Sequence, residues 1–484
     1  MEDHEIILYV DDAFFCLTNP PKQLESDLLT IQVKEMKPDE AKPWIQKVTK
    51  KTLKLFEVKK KEPRIILGDQ GHYSEIAKWL EDNGYKFQLV ENRLEFPAPR
   101  FDLMHGFRFN QRELVEQLLS ANKSGCFSAV TRYGKTTCMI NTLRAYPGVK
   151  TIVLAPGIDL IEQLTEDIEK ALPDREVVQI GGGSKTKYQS EDITVCSSDS
   201  LEKCCPTTTR LILADEPHTT VTDSRYPVIK SFQNARKLAF GATLTGRFDN
   251  KDKLINGLFG EVLAKITFPE AVAIGAVCQI ECLLIQVDVG KTFIPATLRR
   301  QAYKKLLLQN PEIAGSVEYI LENHIPQDWQ TLMFISNEAQ ADYLHEFLTC
   351  KPAIAMAKKL TKTKRTELKD AMSGGEIKRC LASDIYAQGV TFSDLRCVIN
   401  LAGGGPYTNS IQKPGRLAEI RPNKKCGILI DYIFTHQGNL NYKNAAHALV
   451  HDSLSRLKVY CDKGYGINIA SSKDSVAQFF DKHL

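Results

Sequence analysis

Ile212-Leu213-Ala214-Asp215-Glu216-Pro217-His218 reads as an apolar strand that ends in two adjacent acids, with a histidine two places on. Carboxylates that follow four apolar or small residues are costly to bury unless a metal or a cation meets them. Upstream stands Thr131-Arg132-Tyr133-Gly134-Lys135-Thr136-Thr137, a Gly-Lys-Thr turn after the apolar residues Phe127, Ala129 and Val130. Gly134 lets the backbone approach phosphates, Lys135 places a cation on their oxygens, and Thr136 offers a hydroxyl to Mg²⁺. Asp215 would then hold Mg²⁺, and Glu216 would orient and deprotonate an attacking water. Each motif alone has a plainer reading, as a capped strand-to-helix turn or a solvated strand end. Together they supply the parts an NTP hydrolase needs, with Mg²⁺ as its metal.

Working outward, residues 101–268 alternate helix and strand. Leu114, Val115, Leu118 and Leu119 make a helical face, and Thr151–Pro156, Ile193–Ser197, Leu211–Ala214 and Leu238–Gly241 read as strands. That alternation implies an α/β domain with a parallel sheet. Residues 269–436 repeat the texture, with strands at Leu332–Ile335, Arg379–Ala382, Cys397–Asn400 and Gly427–Asp431, but lack a Gly-Lys-Thr turn. Two similar lobes with one phosphate turn suggest a shared cleft. Residues 437–484 read as a helical tail, with Ala445, Ala446, Leu449, Val450, Leu454 and Leu457 at helical spacing.

Residues 1–100 read as a small α+β domain. Ile6–Val10, Arg64–Leu67 and Lys86–Val90 look like strands, Ser74–Asn83 like a helix stopped by Gly84, and Pro97-Ala98-Pro99 like a linker. Lys47 to Arg64 carries eight basic residues against two acids, which suits either a grip on duplex DNA or a solvated helix face. Trp79 and Tyr85 read as core of this domain.

The formal net charge of the 484 residues is only +4, so nucleic-acid contacts must come from local patches. The thirteen cysteines follow no metal or disulfide pattern. The acidic start lacks a signal-peptide pattern, and no apolar run approaches the roughly 18 residues of a membrane span. These features predict a cytoplasmic protein with reduced thiols, no membrane contact and no structural metal, and they are compatible with a monomer. His447 and His451 share a helical face, but no third ligand accompanies them.

In this order the motifs resemble those of superfamily 2 helicases over residues 105–435. Phe109-Asn110-Gln111 is similar to the Q motif, Thr131–Thr137 to motif I, Leu154-Ala155-Pro156 to motif Ia, Asp215–His218 to motif II and Gly241-Ala242-Thr243 to motif III. Thr331–Ser336 resembles motif IV, Ala382–Thr391 motif V and Gln412–Arg421 motif VI. Ile180-Gly181-Gly182-Gly183-Ser184-Lys185, Leu258-Phe259-Gly260-Glu261 and the small N-terminal domain resemble phage branch-migration helicases of the UvsW type.

The resemblance implies two RecA-like lobes holding ATP through Gln111, Arg132, Tyr133, Gly134, Lys135, Thr136, Thr137 and Gly389. Arg416, or failing it Arg421, would stabilise the γ-phosphate. Pro156, Gly157, Gly182, Gly183, Lys185, Ser197 and Ser198 would follow a strand backbone, as would Ser336, Asn337, Ser383 and Asp384 in the second lobe. The activity implied is ATP-driven remodelling of branched or forked DNA in recombination, replication or repair, in a bacterial host cytoplasm if phage-encoded. An RNA helicase and a nucleic-acid binding protein with a lost ATPase are the alternatives. Three departures stand out: Arg132 where many relatives have glycine, Thr391 where many have aspartate, and Glu419 where motif VI has its second arginine.

Overall fold

Apolar runs buried on both faces form two all-parallel seven-stranded sheets, one in each half of the chain. The computed structural model describes residues 5–28, 30–38, 46–59, 64–184, 186, 188–242, 244, 251–356, 362–383, 392, 394–404, 414–437 and 444–484. Two compact units result, 1–130 with 134–266 and 131–133 with 267–484.

In the first unit the large sheet has the order Val177–Ile180, Ile193–Ser197, Thr151–Ala155, Leu211–Asp215, Arg236–Gly241, Gly125–Ala129 and Val262–Ile266. The strands read from sequence are there, within a few residues. Val177–Ile180 and Val262–Ile266, at the two edges, are strands that the sequence reading did not single out. Because every pair is parallel, the carboxyl ends of all seven strands lie along one edge of the sheet. Ligand sites of open α/β sheets form there.

The small N-terminal sheet has the order Phe56–Lys59, Ile65–Asp69, Phe14–Thr18, Ile6–Val10 and Phe87–Glu91, antiparallel except for the last pair. Ile76 and Leu80 of helix Tyr73–Asp82 complete its core with Leu8, Phe15, Leu17 and Ile66. Trp79 packs against this core and stacks on Tyr85 at 5.8 Å between ring centroids. The basic stretch is not a helix face. Gln46–Lys54 is a strand paired with Thr30–Pro38 in a separate two-stranded ribbon, in keeping with the β-branched Val48, Thr49 and Thr52.

The small domain is keyed into the large sheet's helices. A Cβ on Gly71 would lie 1.6 Å from the carbonyl oxygen of Asn256, and one on Gly257 would lie 2.9 Å from His72 Nε2. Around these close approaches Lys230 pairs with Asp69 at 2.6 Å and Lys253 with Glu75 at 2.5 Å, while His72 Nδ1 lies 3.6 Å from Glu75. The segment that contains Pro97-Ala98-Pro99 starts from an anchored position. Phe96 meets the edge of Tyr146 and lies under the Arg236 guanidinium, 3.8 Å from the ring centroid.

The second unit's sheet has the order Ala353–Ala355, Arg379–Ala382, Gln330–Phe334, Leu395–Asn400, Gly427–Thr435, Ile280–Asp288 and Gly466–Ala470. The tail is helical over Ala445–Lys463 and Lys473–His483, but between them Gly466–Ala470 adds an edge strand beside Ile280–Asp288. Its Ile469 is exposed, so the strand carries little hydrophobic signal of its own. None of the thirteen cysteines forms a disulfide. Among the described residues, no helix is long and apolar enough to cross a membrane, and no group of His, Cys, Asp and Glu is arranged to hold a metal ion.

The His72 imidazole 3.6 Å away and the Lys253 ammonium at 2.5 Å outweigh burial and hold the Glu75 carboxyl at about 2, down from 4.5. A lowered acid pKa stabilises the fold above the unfolded value and loses that contribution as pH falls through the folded one. Docking of the small domain should therefore weaken between about pH 4.5 and 2. Glu75→Gln should be less stable at neutral pH and lack this part of the acid dependence. Hydrogen exchange over residues 69–82 and 252–259, in both proteins, measures it; parallel acid profiles would refute the assignment.

Candidate active site

Gly125–Ala129 and Leu211–Asp215 are separated in the sheet by Arg236–Gly241 alone. The phosphate turn and the acidic pair therefore leave the same edge, one strand apart. Helix Lys135–Ala145 begins at Gly134, whose φ of 97° and ψ of 43° are left-handed. A Cβ there would also stand 2.6 Å from Gln111 Nε2. Backbone conformation and crowding both demand glycine. Arg132, two residues earlier, also has a positive φ, 72°. This conformation accounts for the glycine that relatives place there, and in this chain a side chain bears the strain.

Gln111 is fully buried, not an exposed helix-start residue. Its Oε1 accepts from the Arg108 N–H at 2.9 Å, so its amide links the start of helix Gln111–Ser120 to Gly134.

Lys135 Nζ lies 3.1 Å from Glu216 Oε1. Burial opposes the ammonium, but Glu216 and Asp215 outweigh it and hold Lys135 above its ordinary pKa. Burial, and then repulsion from Glu216, push Asp215 up to about 7 against the pull of Lys135. Glu216 is held below its usual range because Lys135 and His218 overcome its burial. Glu216 adopts φ 44° and ψ 63°, a left-handed conformation rare outside glycine. Its N–H donates to the Phe240 carbonyl at 2.8 Å, and its carbonyl accepts from the Thr219 N–H and hydroxyl. Pro217 opens the short helix Pro217–Thr220, and buried His218 places Nδ1 3.4 Å from Glu216 Oε2. Gly241 is close-packed too: a Cβ there would meet Leu244 at 2.9 Å and Pro217 at 3.1 Å.

These residues fit a nucleotide with Mg²⁺. The left-handed Gly134 keeps Cβ atoms out of the phosphate path, and half-buried Thr136 and Thr137 lie in the first turn of the helix. The raised pKa of Asp215 marks a carboxylate short of positive charge, which a divalent cation would supply.

The proposed strand contacts of this unit share the same edge. Pro156-Gly157, Gly181–Gly183 and Ser197-Ser198 follow three adjacent strands, Thr151–Ala155, Val177–Ile180 and Ile193–Ser197. Added Cβ atoms at Gly157 and Gly183 would meet nothing within 4 Å; Gly157 is extended, whereas the φ of 89° at Gly183 itself favours glycine. Gly182 has φ 62°. Gly181 instead crowds Ser200, whose hydroxyl takes the Ser197 hydroxyl at 3.2 Å. Ser198 is buried and offers no open hydroxyl. Lys185 lies outside the described residues.

In the second unit, Ser336 and Asn337 are exposed at the end of Gln330–Phe334, and Ser383 follows the neighbouring Arg379–Ala382. Asn337 also caps helix Glu338–Phe347 by accepting from the Gln340 N–H. Asp384 and Gly389, with most of the motif V and the start of the motif VI segments, lie outside the described residues. Arg421 is engaged: it pairs with Glu419 at 2.6 Å and donates to the Phe392 carbonyl. Burial draws Arg416 down to about 10. Lys424, which the sequence does not single out, donates to the carbonyls of Leu395, Leu417 and Glu419 and so fixes the turn that carries Arg416. No pattern around Lys424-Lys425 marks it.

A family profile described as "Type III restriction enzyme, res subunit" matches residues 105–246, and one described as "Helicase conserved C-terminal domain" matches 315–421. "Putative helicase 22" of Sulfolobus islandicus filamentous virus (isolate Iceland/Hveragerdi) is 22% identical over 424 residues, 80% of this chain and 75% of that protein. The structure described as a fragment of "a putative HsdR subunit of a type I restriction enzyme" from Vibrio vulnificus YJ016 has a TM-score of 0.57 at 14% identity, covering 92% of each chain. The crystal structure of T4 UvsW aligns over 97% of this chain and 99% of that one, at 16% identity and a TM-score of 0.42.

Gly134→Ala should destabilise the first unit by about 1–3 kcal/mol, the usual cost of a strained backbone position. Adding Gln111→Ala should recover only the steric part. Denaturant unfolding of the single and double variants tests this; complete recovery would show that the contact, and not the backbone conformation, demands glycine.

Proposed function

Because this chain is a superfamily 2 helicase by its paired domains, we propose that it is an ATP-driven DNA translocase that remodels branched DNA such as forks and four-way junctions. The observation that carries the motor reading is the Lys135–Glu216 pair at the carboxyl edge of the first sheet. The DNA assignment rests on the resemblance of the motifs and N-terminal segment to the UvsW type. A small domain keyed against the first lobe suits a duplex-holding role.

The mechanism follows from the charges. At rest Lys135 and Glu216 neutralise each other. Phosphate oxygens of ATP offer Lys135 a stronger partner, and its transfer to them frees Glu216 as a base. The tether of the Glu216 N–H to Phe240 fixes the backbone while the side chain changes partner. Thr136 and Asp215 would hold Mg²⁺, which when bound neutralises developing charge on the phosphates. Arg416 is our choice for the γ-phosphate arginine by its place in the motif VI segment, and Arg421, which pairs with Glu419 and donates to the Phe392 carbonyl, is the second. Lys424 is then a positioning residue for Arg416.

ATP hydrolysis by the wild type and Glu216→Gln, with no polymer, single-stranded DNA, duplex, a four-way junction or RNA, tests the reading. DNA should stimulate the wild type, branched DNA most. Glu216→Gln should lose roughly 10²-fold or more, the usual contribution of a general base. Stimulation by RNA alone would transfer the motor to RNA. No turnover under any condition would leave a binding protein.

A further inference from the structure

The segment from Val289 to Leu308 leaves strand Ile280–Asp288 of the second unit. It contains Lys291, Arg299, Arg300, Lys304 and Lys305 and no acid, five positive charges against a net +4 for the whole chain. It is firmly seated. Ala302, Leu306 and Leu307 are buried in the unit's core, and a Cβ on Gly403 would come within 2.2 Å of Leu307. Pro295 bridges to Asn444, whose Oδ1 accepts from the Ile294 N–H at 3.0 Å. The Tyr303 hydroxyl donates to Asp452, and Arg299 donates to the same carboxylate at 3.2 Å. Helix Arg299–Tyr303 then widens into a π-helical turn, Lys304–Leu308.

The outer face is the reverse of the inner one. Lys291, Arg300, Lys304 and Lys305 are exposed and, among the described residues, take part in no ion pair. Arg300 and Lys304 stand one helical turn apart on one face. On the same segment Phe293, two residues after Lys291, is 62% exposed, and Leu298, two before Arg300, 40%. Cations gathered on one short, well-seated segment with no acid in it repel one another, and a dense negative partner relieves that repulsion. An exposed aromatic among cations also suits a nucleic acid, where phosphates take the charges and a base or sugar takes the ring.

Placement supplies the second argument. The sheet is parallel, so this segment emerges at the edge that also carries Ser336, Asn337 and Ser383. Gln330–Phe334 and Ile280–Asp288 are three strand spacings apart in the sheet order, roughly 14 Å at the usual ~4.8 Å each. That offset suits a second backbone better than the strand those residues would track.

We propose that Val289–Leu308 is a duplex-DNA-contacting arm of the second lobe, with Arg300, Lys304 and Lys305 on phosphates and Lys291 and Phe293 at its flank. The proposal rests on the DNA-motor reading above.

The test is binding of labelled tailed duplex DNA by the full chain across a salt series, for the wild type, Arg300→Glu/Lys304→Glu/Lys305→Glu and the matching glutamine triple. Both triples should bind duplex at least roughly tenfold more weakly. The glutamine triple should lower the slope of log affinity against log salt by about 2 to 3, near 0.9 per lost phosphate contact. Hydrolysis without DNA, thermal unfolding and affinity for single-stranded DNA should stay near wild type. If the wild type binds DNA and the glutamine triple matches its affinity and slope, the arm is refuted while the motor reading stands. If the triple instead loses binding to anionic lipid vesicles alone, the face belongs to a membrane and the arm is likewise refuted. A wild type that binds no DNA overturns the motor reading, and the arm with it.

Discussion

An ammonium and two carboxylates gathered in a partly buried space depend on one another. Remove Lys135 and two acids face each other without a cation; remove Glu216 and the ammonium loses the partner 3.1 Å away. Such a cluster is stable only if the backbone brings its members together, and here two parallel strands with a single strand between them do so. The left-handed residues Gly134 and Glu216 mark where the chain turns sharply off those strands. Strain of this kind persists only where the surroundings fix it. Gln111 against Gly134 and the Phe240 carbonyl on the Glu216 N–H are those surroundings.

The second unit solves a related problem without a phosphate turn. Its interior strand Gly427–Thr435 carries Asp431, buried and bound by Arg456 through two nitrogens and by the Tyr460 hydroxyl. Arg456 extends to the Gly404 carbonyl, and so ties helix Ala445–Lys463 to the loop that follows Leu395–Asn400. Lys424 acts similarly on the turn of Arg416 through three carbonyls. A buried arginine and a half-buried lysine thus fix two loops of this unit, where an apolar side chain could not satisfy the carbonyls.

The small N-terminal domain is held by a different balance. Glycines admit the backbone contacts, and Lys230, Lys253, Asp69, Glu75 and His72 meet around them. Charges at such a junction select one docking geometry, because a displaced domain would leave them unpaired.

Much of the α/β architecture was legible in the chain. Apolar runs of four to six residues give parallel strands their signal, so Thr151–Ala155, Ile193–Ser197 and Arg379–Ala382 were readable within a residue or so. Edge strands such as Gly466–Ala470 have a solvent-facing side and lack that signal, which is why the tail read as mostly helical with no strand in it. The helix-face reading of Lys47–Arg64 failed for a related reason: lysine density obscured the β-branched residues between. In the site, residue types and order alone marked Lys135, Asp215 and Glu216, because this chemistry needs those groups at strand ends. Sequence could not show that Gln111 is buried against Gly134, that Ser198 is hidden, that Arg421 is engaged by Glu419, or that Lys424 supports the Arg416 turn. Those facts depend on contacts between residues far apart in the chain, which local pattern does not encode and only the packed structure decides.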